Sequence, residues 1–131
     1  MGVREEASKI HEQGFNCAQS VLCACGKYTG MDDATALAVS AGFGGGVRCG
    51  EICGAVSGAI MALGLATADK EGNDRASMQK TSRLTAAFTR DFSERFGCIR
   101  CIDLKRSGHP CAELIEYAAQ QAEAMLTKDN E

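Results

Sequence analysis

Tryptophan is missing from this chain, there is one proline in 131 residues, and tyrosine occurs only twice. The shortage of aromatic rings leaves few platforms on which single-stranded bases could stack. With 14 Lys and Arg against 17 Asp and Glu the net charge is −3, and no basic run is present. A surface that tracks nucleic-acid phosphates is therefore not expected. The longest apolar stretch, Ile52 to Ala66, is interrupted by Gly54, Ser57, Gly58 and Gly64. It is too short to span a bilayer. Residues 1–6 are charged and lack the apolar centre of a signal peptide. A cytoplasmic, reducing location is expected.

What is abundant is glycine, with 15 residues, and cysteine, with eight. In a reducing compartment a dense cysteine set points to redox catalysis or metal binding more than to structural disulfides. Alternating β patterns, internal repeats and interdomain linkers are absent, and Ala, Glu, Lys and Leu are plentiful. The expected architecture is all-α: a single helical domain over residues 1–131, with about five to six helices and a central small-residue helix.

Taken in order, residues 3–13 place Val3, Ala7 and Ile10 on one face of an amphipathic helix, with Gly14 as its stop. Asn16 is a good N-cap, so Cys17 becomes the first residue of a second helix reaching Tyr28. Asp32 or Asp33 caps a third helix through about Gly42, with Leu37, Val39 and Ala41 inside. The stretch Gly42 to Gly58, GFGGGVRCGEICGAVSG, leads into a helix spanning about Gly50 to Ala68. Its Gly and Ala positions let a neighbouring helix approach closely, which places it centrally. After a polar turn from Lys70 to Arg75, residues 74–96 form a long helix with Met78, Leu84, Phe88, Phe92 and Phe96 inward. Cys101 opens a short turn, and Pro110 starts a last helix to about Leu126. Thr127 to Glu131 reads as a frayed tail.

Four cysteines thus fall at or near helix starts: Cys17, Cys53, Cys101 and Cys111. A helix start offers unpaired N–H groups and the positive end of the dipole, which favours thiolate. Cys98-x-x-Cys101 has dithiol spacing without the βαβ context of a thioredoxin, and Ile102 in place of His excludes haem attachment. Cys49 and Cys53 would share a helical face if their helix begins that early. Cys49 and Cys98 are accessory candidates, and Cys23 and Cys25 read as small core fillers. His11 reads as a satisfied helix-face residue and His109 as a loop N-cap, each with a ligand or base role as the rival. Arg48 and Arg100 flank cysteines and are candidates to lower their pKa. The glycine loop lacks the strand, lysine and spacing of a nucleotide site.

The segment Cys53-Gly54-Ala55-Val56-Ser57-Gly58 has the form C-G-A-x-x-G. Together with Gly14-Phe15-Asn16-Cys17-Ala18-Gln19 upstream and Cys101 and Cys111 downstream, it resembles the redox-active family known by the pattern C-GCAxxG-C-C. The resemblance spans residues 5 to about 125. It implies that Cys17, Cys53, Cys101 and Cys111 are the four characteristic cysteines. Some members carry selenocysteine, and related domains occur in split-Soret-type cytochromes, which implies redox chemistry or electron transfer. This chain departs from the pattern by its four further cysteines.

Three functions stay open at this point. One is thiol/disulfide exchange, with Cys53 as principal thiol and Cys17, Cys101 or Cys111 resolving, serving a redox partner protein or a small-molecule thiol or disulfide. The second is zinc or iron–sulfur binding by all four cysteines. The third is a structural helical module with incidental thiols. A homodimer is compatible with any of them.

Overall fold

Local capping chemistry divides the chain into helices before any packing is considered. In the computed structural model, which describes residues 2–68 and 71–129, α1 covers Val3–Glu12 with Glu5 and Glu6 in its first turn. Gly14 adopts φ +102 and turns the chain. Asn16 then caps α2 (Cys17–Ala24) through a reciprocal box. Its Oδ1 accepts from the Gln19 amide at 2.9 Å, and Gln19 Oε1 accepts from the Asn16 amide at 3.0 Å. Asp32 caps α4 (Asp33–Ser40) by accepting from the Thr35 amide at 3.0 Å, and Asp74 does the same for Ser77 at the start of α6 (Arg75–Phe96).

The expected second helix is two. It stops at Cys25, and a single turn, α3 (Gly26–Thr29), resumes before left-handed Gly30. The remaining helices are α5 (Gly54–Thr67), α7 (Cys101–Arg106) and α8 (Cys111–Asp129). Eight α-helices therefore stand where five or six were expected, and no strand occurs among the described residues. The all-α architecture holds.

α5 is the central element, packed on α2, α3, α6 and α8. The crossing with α2 is close because Gly58 has no side chain: a Cβ there would lie 2.7 Å from the Ala18 carbonyl oxygen. Ala55, Val56, Ala59, Ala62 and Leu63 complete a buried face. On the far side Phe88, Phe92 and Phe96 of α6 are buried, and Tyr117 of α8 meets Phe92 and Phe96 edge-on at 5.9 and 5.3 Å. Aromatic pairs in this geometry add to the stabilisation from buried area.

Several boundaries differ from expectation. α5 begins at Gly54, not near Gly50, since the preceding residues form an irregular loop. Met78 and Val39, expected inside, are 55% and 50% exposed. The supposed frayed tail is helical to Asp129, while residues 130–131 lie outside the described residues, as does Lys70 of the expected polar turn. No helix among the described residues is long and apolar enough to cross a membrane.

Candidate functional site: four helix starts around one pocket

Cys17, Cys101 and Cys111 are the first residues of α2, α7 and α8, and Cys53 is the N-cap of α5. Sequence position alone places them at helix starts; packing brings the starts together. All four line one pocket of about 220 Å³. The same wall includes His11, Asn16, Gly45, Lys105 and Leu114.

Backbone pairing registers the loop before α5 against the segment before α7. Ile52 and Arg100 form an isolated antiparallel bridge. The Cys53 amide donates to the Ile99 carbonyl at 2.8 Å, and the Cys101 amide donates to the Glu51 carbonyl at 2.6 Å. Arg100 Nε adds a bond to Glu51 Oε2 at 2.6 Å across this bridge. Two cysteines distant in sequence are thereby held at adjacent rungs.

The glycines clear the space that this convergence needs. A Cβ on Gly54 would collide with Cys17 Sγ. One on Gly46 would stand 2.7 Å from the Cys101 Cβ. Gly45, Gly46, Val47 and Arg48 are all left-handed, with φ between +58 and +64. For a β-branched residue such as Val47 this conformation is strained and must be imposed by its surroundings. Arg48 ties the loop to the Ala41 carbonyl at 2.9 Å, and Asn16 Nδ2 donates to the same oxygen at 3.0 Å. The helix cap that starts α2 thus also anchors the loop.

Electrostatics separate the four thiols. Burial pushes the Cys53 thiol up to about 12 from 9.0, with Cys17 adding in the same direction, although the Ala55 and Val56 amides donate toward its sulfur and pull down. The expectation that a helix start makes Cys53 a ready thiolate is therefore corrected: at 3% exposure, desolvation outweighs two amide donors. Cys101 is also pushed up by burial; Lys105 opposes this, while Cys17 and Cys111 reinforce it. Cys111 is exposed and Cys17 half-buried. Solvent reaches the cluster from the Cys111 side.

The other candidates lie elsewhere. Cys49 is exposed and donates to the Gly46 carbonyl at 3.6 Å, and Cys98 packs half-buried against the core; neither lines the pocket. Because α5 starts after Cys53, Cys49 and Cys53 share no helical face. Cys23 and Cys25 are core residues, with thiols pushed up by burial to about 11 and 12. Arg100 pairs with Glu51 and Asp103, so it does not serve a thiol. His109 stacks edge-on against Phe96 at 5.2 Å. Lys105 is a wall residue that sequence reasoning passed over, and His11, read there as a satisfied helix-face residue, also lies on the wall. Lys105 follows Cys101 by four residues, a spacing that shares a helical face. His11 lies in the last turn of α1, before the turn to Cys17.

Zinc and iron–sulfur clusters take four cysteine sulfurs converging on one centre. Among the described residues no three His, Cys, Asp or Glu side chains are placed to hold one metal ion. The thiols share a pocket without forming a ligand set, and all eight cysteines are free thiols.

Comparison with the curated proteins and with the solved structures finds no match. The model of a family described as "Putative redox-active protein (C_GCAxxG_C_C)" matches residues 15–125, from the turn before Cys17 to well beyond Cys111, and the chain belongs to that family.

Proposed function

We propose that this chain is a thiol–disulfide exchange protein whose working thiols are Cys111 and Cys101, backed by Cys17 and Cys53. The observation that carries this reading is the convergence of four helix starts on one pocket in which a single cysteine, Cys111, is exposed. Cys111 then replaces Cys53 as the attacking thiol, because the thiolate is the nucleophile and burial suppresses it at Cys53. Cys101 is its resolving partner, sharing the wall and close enough for the two charges to oppose each other. Cys17 and Cys53 stand in the same relation and form an inner pair.

In one passage the Cys111 thiolate attacks a disulfide and displaces one thiolate, which takes up a proton. Cys101, deprotonated, attacks the Cys111 sulfur and displaces the second thiolate. The substrate gains two electrons and two protons, and Cys101–Cys111 becomes a disulfide. A dithiol reductant restores the chain by the reverse exchange.

Disulfide mapping and metal analysis of anaerobically purified protein, poised in a thiol–disulfide buffer, test this. A reversible Cys101–Cys111 disulfide in metal-free protein is the expected result. Stoichiometric iron or zinc with four protected thiols overturns it in favour of the four-cysteine metal site. Thiols that never pair, in a chain whose Cys53→Ser, Cys111→Ser double variant behaves as wild type, leave the structural module.

A further inference from the structure

The pocket is small and its charge is one-sided. Its volume of about 220 Å³ is that of roughly seven waters, below the roughly 300–1,000 Å³ of sites enclosing drug-sized ligands. The chain carries a net charge of −3, yet no aspartate or glutamate lines this wall. The ionisable groups there besides the thiols are Lys105 and His11. Lys105 makes no ion pair among the described residues; the carboxylate nearest to it in α7, Asp103, is held by Arg100 at 3.7 Å. His11 Nδ1 lies 3.1 Å from the Phe15 carbonyl oxygen, which can only accept, so Nδ1 carries the hydrogen. In the neutral ring Nε2 is then a bare acceptor. The remaining wall is sulfur, the Asn16 amide, Gly45 and Leu114.

From these features we infer that the pocket takes a small anionic disulfide, and that Lys105 selects it. The inference rests on the exchange reading above and names its substrate class. A disulfide set in a folded protein surface, or one carrying a bulky peptide on each sulfur, can meet Cys111 only at the rim and cannot enter a pocket of about 220 Å³. A small dianion fits, with one carboxylate against the Lys105 ammonium and its S–S bond beside Cys111. The covalent step is the one already written: the Cys111 sulfur bonds to one substrate sulfur, the S–S bond breaks, and a carboxylated thiolate leaves and is protonated. Cys101 then releases the second. Lys105 touches the substrate's charge and takes no part in bond breaking.

The test is single-turnover oxidation of the reduced full-length chain by four disulfides. Dithiodiglycolate, hydroxyethyl disulfide and cystamine are of similar size and are anionic, neutral and cationic; insulin supplies protein disulfides. Each rate is divided by that of the same reagent with free cysteine. The anion is expected to lead the neutral reagent by roughly tenfold at low salt, with cystamine slowest and insulin slower still, and added salt narrows the gap. Lys105→Gln is expected to abolish the lead and Lys105→Arg to keep it. Equal normalised rates, a lead that survives Lys105→Gln, or insulin outpacing the anion would overturn the selection by Lys105. The exchange reading is judged separately. It stands if any reagent yields the Cys101–Cys111 disulfide, and it falls, with this inference, if none does.

Discussion

Alkylation of the fully reduced protein ranks its thiols and tests the electrostatic argument directly. Iodoacetamide reacts with thiolate, so the rate at each cysteine scales with thiolate fraction and with access. Moving the Cys53 thiol from 9.0 to about 12 lowers its thiolate fraction at neutral pH by about a thousand-fold. At 3% exposure, access lowers the rate further. Cys111 and Cys49 carry no such burden of burial. Site-resolved mass spectrometry of timed samples at about pH 8 is expected to show Cys49 and Cys111 modified first. Cys53 and Cys25 should follow more than a thousand-fold later, or only as fast as the chain unfolds. A Cys53 rate within tenfold of Cys111 in folded protein would refute the argument, because helix-end amides would then outweigh desolvation. Repeating the series in denaturant removes the burial term, and the spread among the eight sites should collapse.

Three further outcomes follow from the same geometry. Gly58→Ala drives a methyl to 2.7 Å from the Ala18 carbonyl, a backbone atom that cannot turn aside; urea unfolding should show a loss of about 1–3 kcal/mol. Val47→Gly relieves a left-handed β-branched residue that is nearly half exposed, and should raise stability by about 1 kcal/mol, with an unchanged or lower midpoint counting against the strain. Cys25 and Cys53 are held as thiols up to about 12 in the folded chain and ionise near 9.0 when unfolded. Their contribution is therefore whole below pH 9 and is lost as pH rises toward 12, each on the order of 4 kcal/mol at the upper end; a melting temperature that stays flat from about pH 9 to 11 contradicts this.

What the amino-acid order made legible is local. Asn16, Asp32 and Asp74 cap helices through atoms two or three residues away, Gly97 stops α6, and Pro110 precedes α8, so these boundaries are visible in a short window. Helix starts at Cys17 and Cys111 follow from that punctuation, whereas the start at Cys101 has no side-chain cap. The loop from Gly45 to Arg48 was hidden because nothing local tells Val47 and Arg48 to adopt positive φ. The Asn16 and Arg48 bonds to Ala41 and the bridge from Ile52 to Arg100 hold the loop, and each is a tertiary fact. Lys105 was missed, and His11 was read as an ordinary helix-face residue, for a related reason. They are 94 positions apart in the numbering and meet only across the pocket, although the four-residue step from Cys101 to Lys105 was readable on a helix. The pKa of Cys53 failed for another reason: helix position gives the direction of the dipole and says nothing of burial.

That failure bears on why four helix starts should surround thiols at all. Cys111 opens α8, where the unpaired amides of a helix end lie beside a sulfur that solvent still reaches. At Cys53 the same amides only soften a desolvation that keeps the proton on. Burial thus grades the cluster from an exposed rim at Cys111 to a protonated floor at Cys53. Cys101 lies between, pushed up by burial and drawn back by Lys105, while also opposing charge on both Cys17 and Cys111. Its charge would also oppose one on Cys53. On the exchange reading proposed above, a disulfide formed at the rim passes inward through Cys101. Replacing it with serine should strand any mixed disulfide on Cys111, seen as a stable adduct by intact mass, whereas Cys17→Ser should leave resolution at the rim intact. If the Cys101→Ser chain still clears its adduct at the wild-type rate, Cys101 is not the junction and the inner pair resolves Cys111 directly.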